Sequence, residues 1–215
     1  EQMNSSELEP YKFVFLDFDG VIKDSVEVKA DAFEQLFSCY GEDIAKRVRI
    51  HHEANGGNSR YEKLPLYLEW AGIRPENNTI EEFSKRFSSL AKNGVIDSPW
   101  VVGMPNYLIN SAKKKPLFLV TATPQKEMEE ILDALNIRHC FKQVIGSPST
   151  KITAVSAMMQ NYKIEPESAV MVGDSTIDYE AATENDIAFI LRSTSLNRDL
   201  QQIHSGVVIK DFSNE

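Results

Sequence analysis

The sequence predicts an α/β protein built on a mostly parallel sheet. Three observations predict it. Short apolar runs alternate with helical patterns. Each run is short and continuously apolar, as buried strands are. Polar residues follow the carboxyl ends of several runs, the edge where open parallel sheets bind ligands.

The elements come in order. Residues 13–16 read Phe-Val-Phe-Leu and end at Asp17. Residues 116–120 form a second strand ending at Thr121, and 143–145 a third ending at Gly146. Residues 169–172 lead to Gly173 and Asp174, and 187–191 make a fifth strand. Helices are expected over 124–136, 149–162 and 176–185. From residue 24 to 95 no buried strand is visible. Helical patterns such as Ala32, Phe33, Leu36 and Phe37 replace it. Asp24, with Glu27 three residues on, suggests a capping box for the first of these helices. The expected division is a split core, 11–22 with 96–215, around a helical insert over 23–95. Residues 21–24 and 93–100 are the expected hinges, and 1–10 a disordered tail or expression remnant around Met3.

Composition narrows the class. Hydrophobic residues make up 42% and charged residues 26%, an ordinary globular balance. No apolar run nears the ~20 residues of a membrane span. The polar, acidic start lacks a basic segment followed by an apolar one, so no secretory signal is expected. Two cysteines, Cys39 and Cys140, make no disulfide framework and suit reduced thiols in the cytoplasm. A net charge of −9 argues against a nucleic-acid partner. The one basic run, Lys113-Lys114-Lys115, reads as a solvated helix end.

Four pieces carry chemistry. Asp17 and Asp19 lie two residues apart past a strand, with Gly20 allowing a tight bend. An ordinary turn with capping Asp side chains would look the same. Asp174 and Asp178 lie four apart, one at a strand end and one entering a helix. A helix N-cap explains one of these acids. Four converging carboxylates repel one another and need a cation, and all-oxygen ligation suits magnesium first. Thr121 can donate to a phosphate oxygen, as can the Ala122 amide, although Thr before Pro is also a common helix cap. Lys151 opens a predicted helix, where a cation opposes the dipole. Pointing into an acid-rich site it would neutralise both an acid and an incoming phosphate; as a surface lysine it would do neither.

In this order, Asp-x-Asp, Thr, Lys and Gly-Asp-x-x-x-Asp, the pieces resemble the four signature motifs of the haloacid dehalogenase superfamily, from about residue 11 to 210. The resemblance implies a doubly wound core carrying a helical cap. It implies a Mg2+-dependent phosphatase acting on a small phosphorylated metabolite, such as a sugar phosphate or a phosphoglycolate-like acid. Asp17 would be the nucleophile that becomes phosphorylated, and Asp19 the general acid and then base. Thr121, Ala122 and Lys151 would bind the phosphoryl group. Asp17, Asp19 through its carbonyl, and Asp174 would hold the metal, with Asp178 in support. Dehalogenases of the superfamily lack the second aspartate, and its transporting ATPases have Thr there. The lysine motif departs from the pattern, since Ile152-Thr153 stands where many relatives have Pro-x-Pro.

The insert resembles the cap of the phosphoglycolate phosphatase and β-phosphoglucomutase group. Its Gly57-x-Ser59-Arg60 is similar to the mutases' Gly-x-Ser-Arg. Arg60 would then pair with a second anionic group on the substrate, or else face solvent after a Gly-Gly turn. His51, His52 and Lys63 are expected at the surface. A hexose-phosphate mutase is the alternative enzyme, opposed by Lys29 standing where those mutases carry His. A non-enzymatic phospho-receiver module is the alternative from another class, opposed by the insert and by Asp19.

Overall fold

The computed structural model describes residues 5–213. Six parallel strands form one sheet in the order β3-β2-β1-β4-β5-β6. They are β1 (Phe13–Leu16), β2 (Leu117–Pro124), β3 (Gln143–Ser147), β4 (Ala169–Gly173), β5 (Ala188–Arg192) and β6 (Val208–Ile209). The first five match the runs read from sequence. β6 escaped notice because two residues carry no periodicity. The chain runs outward from β1 on both sides, so the winding switches between β1 and β4. That crevice is where doubly wound sheets bind ligands.

Successive residues alternate between two cores. Val14 and Leu16 face one layer with Leu117, Leu119, Val170 and Val172. Phe15 faces the other with Phe118, Val120 and Met171. Helices α5 (Met104–Ser111) and α6 (Gln125–Ala134) cover the first face through Met104, Leu108, Met128 and Leu132. Helices α7 (Lys151–Tyr162), α8 (Thr176–Glu184) and α9 (Arg198–Ile203) cover the second through Val155, Met158, Ala181 and Leu200. Covered on both faces, the strands had to be apolar throughout.

Between β1 and β2 stand four helices, α1 (Val26–Phe37), α2 (Glu42–Ala54), α3 (Arg60–Trp70) and α4 (Asn77–Asp97). They enclose their own core of Phe33, Phe37, Tyr67, Phe83 and Phe87. Phe33 stacks on Phe87 at 4.0 Å between centroids and meets Tyr67 edge-on. Each such ring contributes ~1.5–3 kcal/mol by burial. Two crossing segments tie the helices to the sheet: Asp24 N–H donates to Pro99 O and Val101 N–H to Ile22 O.

Several expectations need correction. Asp24 caps nothing: Ser25 is the N-cap of α1, without a side-chain cap bond, and Asp24 instead pairs with Arg192 at 2.6 Å. α4 continues to Asp97, so most of 93–100 is helix. Residues 5–8 form a 3-10 helix whose Leu8 is buried in the core, so at least this part of the expected tail is ordered. Residues 1–4, Met3 among them, lie outside the described residues. Lys113 and Lys114 are exposed beyond α5, but Lys115 donates to the carbonyls of Leu8 and Tyr11, at 3.0 and 2.7 Å, and so pins the first segment down.

Candidate active site

Asp17 sits one residue past β1 with its N–H bonded to Val172 O. Its side chain is buried and pairs with Lys151 Nζ at 2.9 Å. The same ammonium donates to Asp178 Oδ1 at 2.7 Å. Lys151 is the first residue of α7, and the two acids supply the compensation that the helix dipole withholds. Both acids hold its ammonium well above the usual lysine range, against the opposing effect of burial. Sequence reading left this side chain open between surface and site, and only the fold decides.

Asp178 is fully enclosed. Its Oδ2 accepts from Asp174 N–H, Ser175 N–H and Ser175 Oγ at 3.2, 3.2 and 2.8 Å. It closes a capping box with Ser175 at the start of α8. Gly173 is required beside it, because a Cβ there would collide with the Asp178 side chain. Asp178 thus fixes the loop and Lys151.

One carboxylate oxygen from each of Asp17, Asp174 and Asp178 lies within 4.8 Å of the others. Burial and the charges of Asp17 and Asp178 push Asp174 well above the usual carboxylate range. Burial, Asp178 and Asp19 push Asp17 up to about 7, against the pull of Lys151. Gly20, at φ +80°, lets the backbone pass: a Cβ there would run into the Asp174 carboxylate. Asn197 steadies the loop by donating to Asp174 O at 2.9 Å.

Asp19 points toward the helical insert. Ser25 Oγ donates to its Oδ1 at 2.6 Å and Lys29 Nζ to its Oδ2 at 2.5 Å. Burial raises its pKa, but the charge and hydrogen bond of Lys29, together with Ser25, outweigh that and leave it below the ordinary value. Lys29 also donates to Thr123 Oγ1 at 2.8 Å. Thr121 is buried, and the ladder to β3 breaks between Val120 and Pro124. Its Oγ1 accepts from Thr123 N–H at 3.2 Å. Ala122 lines a cavity beside Lys151 and Gly57.

The structure therefore gathers Asp17, Asp174, Asp178 and Lys151, with Asp19 at the rim. Sequence reading missed Ser25 and Thr123, and noted Lys29 only as a replacement for His. Lys29 lies ten residues after Asp19, one turn into α1, and only that helix's placement brings it back. Arg60 neither faces solvent nor stands free. It is buried, donates to Ser84 O and Ser88 Oγ at 3.2 and 2.6 Å, and pairs with Glu127 of α6. His52 and Lys63, expected at the surface, are both 3% exposed; His51 is half-buried against Tyr67.

A cleft of about 460 Å³ opens between insert and sheet edge, lined by Asp19, Lys29, His52, Gly56, Asp174 and Asn197. Gly57 touches α8 so closely that a Cβ would meet Ser175 Oγ. Among the described residues no helix is long and apolar enough to cross a membrane.

Fold and site define a doubly wound α/β protein whose switch-point crevice holds an acid cluster organised by a lysine. The chain belongs to the haloacid dehalogenase-like hydrolase family, whose model matches residues 14–191. It is 27% identical over 215 residues to the phosphorylated carbohydrates phosphatase of Thermotoga maritima, covering 91% of each chain. It is 24% identical over 212 residues to the phosphoglycolate phosphatase of Pseudomonas savastanoi, covering 94% of this chain and 77% of that one. The β-phosphoglucomutase of Clostridium difficile shares the fold with a TM-score of 0.74 at 18% identity, over 94% of this chain and 91% of that one.

Proposed function

We propose that the protein is a cytoplasmic phosphatase hydrolysing a small phosphomonoester, a sugar phosphate or a phosphoglycolate-like acid, through a phosphorylated Asp17. The observation that carries this reading is Lys151 held between Asp17 and Asp178, with Asp19 two residues after Asp17 on the loop that follows β1. Lys151 neutralises Asp17 enough for an anionic ester to approach. An Asp17 oxygen attacks phosphorus, and the bond to the ester oxygen breaks. Asp19 gives that oxygen its proton. Water then attacks the aspartyl-phosphate, Asp19 takes the water's proton, and inorganic phosphate leaves with Asp17 restored. Thr121, the Ala122 amide and Lys151 bind the phosphoryl oxygens. The α1–α4 insert acts as the cap that excludes water. The phosphatase names of the T. maritima and P. savastanoi relatives support the same reaction class.

The donor set fits a hard divalent ion. Four carboxylates face two ammoniums, those of Lys29 and Lys151, and Asp174 in particular is destabilised by its acidic neighbours. Asp17, Asp174 and the Asp19 carbonyl would hold Mg2+, with Asp178 steadying them. The ion would screen charge between Asp17 and the ester.

The test is phosphate release from a panel of phosphomonoesters with and without magnesium, beside Asp17→Asn. Release should need the ion and fall on the order of 10⁴-fold or more in the variant. A folded protein that releases phosphate from none of them would overturn the reading. Conversion of a hexose 1-phosphate to its 6-phosphate without release would make it a mutase.

A further inference from the structure

Arg192 is the last residue of β5, two strands away from β1, yet its side chain reaches the loop after β1. Its Nε donates to Lys210 O at 3.0 Å, just past β6. Its Nη1 donates to Gly20 O at 3.1 Å and to Asp24 Oδ1 at 2.6 Å. A planar guanidinium can hold three such acceptors in fixed directions, whereas an ammonium is a point charge. Between β5 and β1 lies β4, the strand that leads into Asp174. The guanidinium therefore spans the strand carrying one acid and grips the loop carrying two others, Asp17 and Asp19.

Five residues on, the buried Asn197 acts on the other loop. Its Nδ2 donates to Asp174 O at 2.9 Å and to Arg192 O at 2.8 Å. Its Oδ1 accepts from Thr194 N–H at 2.9 Å and from Gln201 Nε2 at 2.7 Å. Both donors and both acceptor positions of the amide are thus filled, so Asn197 has one available orientation. The two loops meet without slack, because a Cβ on Gly20 would run into the Asp174 carboxylate. Main chain and side chain of Arg192 hold them from both sides.

We infer that Arg192 is a positioning residue for the divalent ion, with Asn197 as its second arm. The inference rests on the phosphatase reading, in which Asp17 and the Asp19 carbonyl on one loop and Asp174 on the other hold that ion. Arg192 fixes the Gly20 carbonyl, one peptide beyond the Asp19 carbonyl. Asn197 fixes the main chain of Asp174 itself. Neither touches the reacting atoms. Together they set the distance between the two ligand-bearing loops before the ion arrives, so binding it requires little rearrangement. The bond to Asp24 is a separate arm, which anchors the first segment crossing to the insert.

Magnesium alone, titrated into the full chain and followed by calorimetry, tests this without any turnover. Arg192→Met should weaken magnesium binding on the order of 10–100-fold. Arg192→Lys keeps a charge for Asp24 but not the fork that also reaches Gly20, so its affinity should fall between the two; it also carries the test where Arg192→Met does not fold. Asp24→Asn removes only the anchor to the insert and should bind magnesium as the wild type does. An Arg192→Met protein that melts earlier but binds magnesium with wild-type affinity has lost a merely structural arginine, and that overturns the inference, as does wild-type affinity in Arg192→Lys where the Met variant is unfolded. A loss in Asp24→Asn equal to that in Arg192→Met assigns the effect to the insert's anchor and overturns it too. A folded wild type that binds no magnesium removes the metal from the phosphatase reading and the inference with it, whereas a wild type that binds and variants that match it remove the inference alone.

Discussion

Lys29 Nζ lies 2.5 Å from Asp19 Oδ2 and 2.8 Å from Thr123 Oγ1. One side chain of the first insert helix thus touches both the loop after β1 and the end of β2. The position of the insert and the charge of Asp19 are physically linked through it.

The first prediction concerns that link. Lys29 and Ser25 hold Asp19 below the ordinary carboxylate range although burial pushes it up. In Lys29→Met only Ser25 and the charge of Lys151 still oppose burial, and the Asp19 pKa rises. Asp19 gives its proton in the first half-reaction, so the basic limb of the kcat/KM profile, set by loss of that proton, should move upward. Lys29→Arg should return part of the shift. An unmoved limb would show that Lys29 does not govern Asp19.

Burial first, and then the charges of Asp17 and Asp178, push Asp174 well above the usual carboxylate range. Replacing it by Asn removes one of the buried like charges, so the metal-free protein should melt at a higher temperature. Magnesium should stabilise the wild type by ~2.7 kcal/mol at a hundredfold excess over Kd, and Asp174→Asn hardly at all. Thermal melts with and without the ion decide this. An undiminished magnesium response in the variant would move the ion elsewhere.

Two glycines separate backbone strain from site chemistry. Gly20 has φ +80° and no room for a Cβ beside Asp174, whereas Gly41 has φ +117° and open space around it. Alanine at either position should cost ~1–2 kcal/mol through the backbone. Only Gly20→Ala should also lose the magnesium-dependent melting shift, because its methyl displaces the Asp174 carboxylate. Urea unfolding of both variants, repeated with the ion, makes the comparison.

Lys63 gives a stability profile of unusual sign. Burial first, and then Lys29, lower its folded pKa to about 7 from an unfolded value of 10.5. Between those values the unfolded chain binds more protons, so stability rises with pH. The slope is at most ~1.4 kcal/mol per pH unit. Lys63→Met should lack this rise, which unfolding at pH 7 and pH 9 can measure. Identical slopes in both proteins would mean that Lys63 is solvated or paired in solution.

Much of the scaffold was legible in the sequence. Residues 13–16 announce β1 because a strand covered on both faces must be apolar throughout. Asp17, Thr121 and Asp174 could be assigned to one edge because each follows such a run directly. That proximity is local, so a linear pattern carries it. Residues 24–95 were legible as helices through the spacing of Phe33, Leu36 and Phe37, which line the insert's own core.

That same pattern misread the second face of the insert. Spacing records the stripe that a helix buries against its sister helices. It is blind to polar residues buried later, when the insert folds over the sheet edge. His52 and Lys63 look like solvent-facing residues, Arg60 reads as either a substrate ligand or a solvent-facing residue, and all three are buried; Asp24 looks like a cap but pairs with Arg192 across the fold. The sequence by itself determined the alternating elements and the acids at the strand ends, because hydrophobic burial and strand geometry act over a few residues. Only the tertiary structure decided which cations meet those acids. Lys151 reaches Asp17 from 134 residues away, Arg60 is spent on Glu127 and Lys63 is left unpaired, because ion pairing follows distance in space and not distance along the chain.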